Sequence, residues 1–113
     1  MSVTRGMRID PANTNLVPGE IQVFQHGAYN HFGNEDGFTY RTTFDALFVG
    51  DTMNDRISSI IVYSGRWVFY EHGNYNESGN QPGFAVELGP GYYADVEQQG
   101  IRHDAISSWR QVA

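Results

Sequence analysis

Gln25-His26-Gly27-Ala28-Tyr29-Asn30 returns later in the chain as Glu71-His72-Gly73-Asn74-Tyr75-Asn76, with His, Gly, Tyr and Asn identical at an offset of 46. A second match follows in the same order. Asp55-Arg56-Ile57-Ser58-Ser59-Ile60 pairs with Asp104-Ala105-Ile106-Ser107-Ser108-Trp109, with Asp, Ile, Ser and Ser identical at an offset of 49. One hexamer match arises easily by chance; two in order, at nearly equal spacing, mark an internal duplication. One unit runs from about Gly19 to Ser64 and the other from Gly65 to the end.

The sequence around these matches reads as β structure. Glu20-Ile21-Gln22-Val23-Phe24-Gln25 alternates, and so does Arg66-Trp67-Val68-Phe69-Tyr70-Glu71, whose centre is apolar on both faces. Both run into Gly/Asn-rich turns of the kind that join hairpin strands. Ser59-Ile60-Ile61-Val62-Tyr63 is a β-branched run closed by Ser64-Gly65, and Phe84-Ala85-Val86-Glu87-Leu88 is closed by Gly89-Pro90-Gly91. Helical signal is confined to short turns around Tyr92 to Gln98 and Phe44 to Phe48. Each falls below the ~12 residues at which a helix begins to hold by itself. The expected fold is therefore all-β, a β-sandwich of two Greek-key motifs, the first over about 19–64 and the second over about 65–113. Residues 1–18, with Pro11, Asn13, Asn15 and Pro18, carry little periodicity and read as an N-terminal arm.

Composition narrows the functional classes. At 113 residues there is room for one domain with a real core, and 40% hydrophobic with 14% aromatic residues is too apolar for a disordered chain. No apolar run approaches the ~18 residues of a membrane span, and the first 20 residues contain no apolar leader segment. Cysteine is absent, which excludes disulfides, thiolate metal sites and a cysteine nucleophile. Net charge is −6, every basic residue is arginine, and such a surface repels phosphate backbones while attracting cations. No nucleic-acid or membrane partner is expected.

The repeated hexapeptides are where chemistry concentrates. Asn54-Asp55-Arg56-Ile57-Ser58-Ser59 and His103-Asp104-Ala105-Ile106-Ser107-Ser108 each gather carboxylate, amide and hydroxyl groups just ahead of a strand. Calcium takes six to eight hard oxygens from carboxylates, hydroxyls, carbonyls and water, so one such loop supplies about half a shell. Asp, Asn and Ser also make ordinary turns by bonding their own backbone. Recurrence of the pattern at the same place in both units favours the metal reading.

The hexapeptides resemble the calcium signature of the βγ-crystallins, N/D-N/D-x-x-S/T-S. The repeated hairpin resembles that family's aromatic pattern, here Phe24 to Tyr29 and Tyr70 to Tyr75. GRWVFYEHGNYN, followed by ELGPGYYADVEQQGIRHDAISSWRQ, is especially similar to the single-domain microbial members, and the likeness covers roughly residues 19–113. The resemblance implies two Ca²⁺ ions at one end of the sandwich, each held by loops from both keys. It implies as ligands Asp55, the Arg56 carbonyl and Ser58, then Asp104, the Ala105 carbonyl and Ser107. Asn54 and His103 occupy the first signature positions, and Gln25 and Glu71 would each lend a backbone carbonyl.

The sequence departs from that pattern in three places. The glycine expected after the second aromatic is His31 in one unit and Glu77 in the other, with Gly33 and Gly79 two residues later, so both hairpins should be lengthened or reshaped. His103 stands where the first unit has Asn54; imidazole is a poor ligand for a hard ion, and the two sites should be unequal. Asn34 to Asp51 match the family in little beyond alternating aromatics.

Other chemistries find less support. His26 and His72 occupy equivalent positions but lack the further close ligands that zinc needs, and read as exposed hairpin residues. Ser58, Ser59, Ser107 and Ser108 lie outside any nucleophile elbow, Glu35 and Asp36 read as a solvated pair in a loop, and no catalytic residue is assigned. Phe69, Tyr70, Tyr75, Tyr92, Tyr93 and Trp109 read as core and corner residues. The expectation is a non-enzymatic, calcium-binding, monomeric domain in which the metal stabilises the fold. The alternatives are a structural or stress-type crystallin fold with weak or lost calcium affinity, and a carbohydrate- or protein-binding, inhibitor-like module.

Overall fold

The computed structural model describes residues 6–10, 16–31, 37–77, 82–102 and 104–113. Gly33, Glu35, Asp36, Gly79 and His103 lie outside them. The described residues form strands β1 (Arg8–Ile9), β2 (Glu20–Phe24), β3 (Thr39–Thr42), β4 (Ala46–Phe48), β5 (Ser59–Ser64), β6 (Trp67–Tyr70), β7 (Ala85–Leu88), β8 (Gly91–Tyr93) and β9 (Ser108–Gln111). They make two antiparallel sheets, one ordered β1-β4-β9-β6-β7 and the other β3-β2-β5-β8. This is the two-Greek-key sandwich expected from the duplication.

The topology follows from the repeat. In the first unit β2, β3 and β5 share a sheet while β4 crosses to the other; in the second, β6, β7 and β9 share a sheet while β8 crosses back. Each unit therefore completes its neighbour's sheet, and neither can bury its apolar face alone. The alternating strands supply that face: Ile21 and Val23 of β2, Ile60 and Val62 of β5, Trp67 and Phe69 of β6 and Trp109 of β9 form one core with Met53, Ile57, Val96, Ile101 and Ile106. The outward residues carry surface pairs, such as Arg41 on Glu20 at 2.8 Å and over the Tyr63 ring at 4.2 Å.

Two local expectations need correction. The turn around Phe44 to Phe48 is not helical: Ala46–Phe48 is β4, because pairing with β9 and β1 completes a sheet that a short helix would leave open. Tyr92 is not a core residue; it is 75% exposed, with its ring edge-on to Tyr29 at 6.4 Å. The other short turn is partly realised, as β8 runs into a 3₁₀ turn at Val96–Gln99 capped by the Asp95 carboxylate on the Glu97 N–H.

Within the N-terminal segment, β1 lies antiparallel beside β4, the Asp10 N–H donates to the Asp45 carbonyl at 3.1 Å, and the Tyr75 hydroxyl donates to Asp10 Oδ2 at 2.7 Å. Gln111 ties the same segment to the last strand, accepting from the Gly19 N–H at 2.9 Å and donating to the Val17 carbonyl at 2.7 Å.

Both hairpins fold over in the same unusual way. Ala28, Tyr29 and Asn30 have φ of 49°, 57° and 65°, and Asn74, Tyr75 and Asn76 have φ of 53°, 58° and 60°. A left-handed residue costs roughly 1–2 kcal/mol, so three in a row must be held by their surroundings. Asn30 Oδ1 accepts the His26 N–H at 2.8 Å while its amide donates to the carbonyls of Gly37 and Phe38. Asn76 repeats this on the His72 N–H at 2.8 Å and the Phe84 carbonyl. Ser59 Oγ donates to the His26 carbonyl and accepts the Tyr29 N–H; Ser108 Oγ does the same with His72 and Tyr75. The reshaping expected from the missing glycines thus takes a definite form, with asparagine ending the left-handed run one residue earlier. His31 and Glu77 return to right-handed backbone.

Candidate metal site

The folded hairpins fix where the signature loops go. The Ser58 N–H donates to the Phe24 carbonyl at 3.0 Å, and the Ser107 N–H donates to the Tyr70 carbonyl at 3.0 Å. Each signature serine is thereby set beside the residue that follows its hairpin aromatic, Gln25 or Glu71. Asp55 and Asp104 adopt φ of 59° and 57°, a left-handed conformation that aspartate tolerates better than most side chains. Equivalent kinks in both units turn the two loops toward one end of the sandwich.

Two adjacent clefts open there. One is lined by Gln25, His26, Asp55, Arg56, Ser58 and Asp104. The other is larger, about 510 Å³ against about 210 Å³, and is lined by Asn54, Asp55, Glu71, Asp104, Ala105 and Ser107 together with Phe48, His72, Gly73 and Arg102. Every described sequence-predicted site residue lines one cleft or the other, Asp55 and Asp104 line both, and His103 lies outside the described residues. The clefts mix the two units: Ser58 Oγ donates to Asp104 Oδ1 at 3.2 Å, and Ser107 Oγ donates to Asn54 Oδ1 at 2.6 Å.

The side-chain oxygen of Gln25 and one side-chain oxygen of Glu71 are committed to the main chain. Gln25 Oε1 accepts the Phe38 N–H at 3.2 Å, and Glu71 Oε1 accepts the Phe84 N–H at 3.3 Å. Their backbone carbonyls and Glu71 Oε2 take no part in these bonds. Gly37 and Gly83 allow this close packing: a Cβ on Gly37 would lie 2.7 Å from Asn30 Oδ1, and one on Gly83 would lie 2.8 Å from the His72 ring. His26 and His72 are half-buried rather than exposed, and His72 Nε2 lies 3.1 Å from the Pro82 carbonyl.

Electrostatics at this end are set by crowded carboxylates. The Asp55 carboxyl is pushed above its ordinary range by the protein around it, then by the negative charges of Asp104 and Glu71; His72 and Arg102 oppose the effect. Asp55 itself keeps solvent contact. Arg102 forms an ion pair with Glu71 Oε2 at the edge of the larger cleft. Among the described residues no three His, Cys, Asp or Glu side chains gather at one point. The converging groups are carboxylate, amide, hydroxyl and main-chain oxygens, a donor set that suits a hard cation and is poor in nitrogen.

Sequence reasoning missed several lining residues. His72 and Gly73 were visible as part of the repeat, but His72 was weighed only as a zinc ligand and set aside as an exposed hairpin residue, and Gly73 was read only as part of a turn. Gly37-Phe38 and Gly83-Phe84 recur at the same offset of 46 as the hairpins, a signal that could have located the closing glycines. Phe48 and Arg102 fall where the two units differ, and repetition could not mark them.

A family model for the Beta/Gamma crystallin family matches residues 20–112. The chain belongs to the βγ-crystallin family. A βγ-crystallin from an archaeon is 40% identical over 85% of this chain and 100% of its own, with a TM-score of 0.69. The βγ-crystallin domain of Abundant Perithecial Protein from Neurospora crassa, solved in its Ca²⁺-bound form, is 25% identical over 91% of this chain and 94% of its own, with a TM-score of 0.52. M-crystallin in its calcium-free form is 41% identical over 83% of this chain and 96% of its own, with a TM-score of 0.49. Comparison with curated proteins gives no match. Within the βγ-crystallin frame, the clefts lie where hairpin and signature loops of both keys meet.

Proposed function

We propose that this βγ-crystallin is a non-enzymatic calcium-binding domain, with two Ca²⁺ sites at the shared end of its Greek keys and metal binding that stabilises the fold. The observation that carries this reading is the crossed pair of contacts, Ser58 on Asp104 and Ser107 on Asn54. Oxygen donors from distant parts of the chain meet twice, beside carboxylates that repel one another. A hard divalent cation relieves that repulsion and takes the hydroxyl and carbonyl oxygens as ligands. The smaller site would use the Gln25 and Arg56 carbonyls, Ser58 and the shared aspartates. The larger would use the Glu71 and Ala105 carbonyls, Ser107, Asn54 and the shared aspartates, with water completing each shell. The calcium-bound form of the Neurospora relative supports the choice of metal.

Because such sites exist only when both keys are folded, binding adds RT ln(1 + [L]/Kd) to stability, about 2.7 kcal/mol at a hundredfold excess over Kd. Thermal melts in calcium and in chelator test this, with magnesium at equal ionic strength as control. Calcium should raise Tm by several degrees, at roughly 4–8 °C per kcal/mol. Magnesium, which demands a tight octahedron and sheds water reluctantly, should do much less. Equal melts in calcium and chelator, or equal shifts from both metals, would overturn the proposal. A second reading, a structural crystallin fold with weakened calcium affinity, is favoured by the Arg102–Glu71 ion pair at the larger cleft.

A further inference from the structure

The two clefts differ in one charged feature that the repeat does not share. Glu71 has Gln25 as its counterpart in the first unit, and both side chains use Oε1 to accept the main-chain N–H of the residue just ahead of the strand opposite. Gln25 is neutral. Glu71 has a second carboxylate oxygen with a full negative charge, and Arg102 occupies it. The residue equivalent to Arg102, at the offset of 49, is Met53, which is fully buried in the core. Arg56 lines the smaller cleft without an ion pair to any described carboxylate.

We infer that Arg102 is a tethered counter-ion of the larger cleft, compensating its carboxylates when metal is absent and competing with the cation that would bind there. The inference rests on the calcium reading above and adds which of the two sites is the weaker. Arg102 is suited to this role by its exposure. Its side chain is 69% exposed while that of Glu71 is 19% exposed, so the guanidinium can leave into water while the carboxylate stays in place. The pair balances part of the negative charge that Asp55, Asp104 and Glu71 place around the opening. A divalent ion entering the larger cleft must either displace the guanidinium or bear its repulsion at short range. The smaller cleft has no carboxylate-bound guanidinium to displace, since its own arginine, Arg56, pairs with no described carboxylate. Loading of the larger cleft should also depend less steeply on ionic strength than that of a site with an uncompensated carboxylate, because salt weakens Arg102 repulsion and calcium attraction together.

The test uses Arg102→Gln, Arg102→Lys, Glu71→Gln and the double substitution Arg102→Gln with Glu71→Gln in the full chain. Melts in chelator read the pair without any metal. The two single losses of Tm should exceed, in sum, the loss in the double variant, and strict additivity would overturn the pair itself. Calorimetric titration with calcium chloride then reads the competition. In Arg102→Gln one binding step should tighten by about three- to tenfold, the scale of an ion pair with one partner sheltered. The other step should stay within about twofold, and Arg102→Lys should resemble the unsubstituted protein. Two steps in the unsubstituted protein, both unmoved by Arg102→Gln, would overturn the inference and leave the calcium reading standing. Saturable binding in none of the proteins would overturn the calcium reading and this inference with it.

Discussion

Ser58 donates its hydroxyl proton to Asp104 across 46 residues of sequence, joining the signature loop of one Greek key to that of the other. Ser107 closes the reciprocal link on Asn54. These contacts predict that Ser58→Ala and Ser107→Ala each lower Tm in chelator. The loss should be about 1 kcal/mol per hydrogen bond, or roughly 4–8 °C. Calcium titration of each variant should show one weakened site. A variant that loses no stability and binds calcium unchanged would contradict the arrangement.

The neighbouring serines do a different job, and their replacement should cost more. Ser59 and Ser108 are fully buried, and each hydroxyl serves a carbonyl and an N–H of a left-handed hairpin. Ser59→Ala or Ser108→Ala leaves two sheltered main-chain groups without that partner, at about 1–3 kcal/mol for each group left unsatisfied. Urea unfolding should place both variants below Ser58→Ala and Ser107→Ala in stability. The reverse order would show that the hairpins are held by something other than these hydroxyls.

Asp55 gives a prediction whose sign depends on calcium. Its folded-state pKa lies above the ordinary 3.8, chiefly through burial and then through Asp104 and Glu71. A raised carboxyl favours the folded state fully below the unfolded value, and that contribution is lost as pH rises through the folded value. At neutral pH without calcium, Asp55→Asn should therefore raise Tm and flatten the fall in Tm between pH 4 and the upper carboxylate range. With calcium the order should reverse, because the substitution removes a ligand charge common to both clefts. Melts across pH, with calcium and with chelator, check both signs.

Tyr75 connects the second hairpin to the N-terminal segment through its bond to Asp10. Tyr75→Phe keeps the ring against Tyr70 and beneath Arg110, at 5.5 Å and 4.4 Å, and deletes only that bond. Bonds to a charged group contribute about 1.5–3 kcal/mol, so Tm should drop by roughly 6 °C or more. Asp10→Asn, which retains an acceptor, should drop it less. Equal stability of Tyr75→Phe and the unsubstituted chain would show that the segment ahead of Gly19 is not fastened through this phenol.

The sequence made the sandwich legible because the duplication exposes what each unit must supply. A hairpin ending in His-Gly-x-Tyr-Asn and a signature ending in Ser-Ser recur, and the structure pins one to the other through Ser59 and Ser108. The strands with strong alternation, β2 and β6, were readable from their own residues. Strand β4 was not: Ala46–Phe48 is short, and it becomes a strand through pairing with β9 and β1, which are distant in sequence. Tyr92 was misjudged because composition cannot tell which face of β8 meets the core. Asp55, Ser58 and their counterparts could be read as candidates from repetition, and Gln25 and Glu71 from the family resemblance. Arg102 could not, since its interaction with Glu71 depends on a difference between the repeats.

The claim that the two clefts bind calcium is tested most directly by a calorimetric calcium titration of the metal-stripped protein, repeated with magnesium. The account predicts saturation at two calcium ions per chain, in two steps of unequal affinity, with little saturable heat from magnesium. A flat calcium isotherm, or magnesium and calcium isotherms that superimpose, would contradict it.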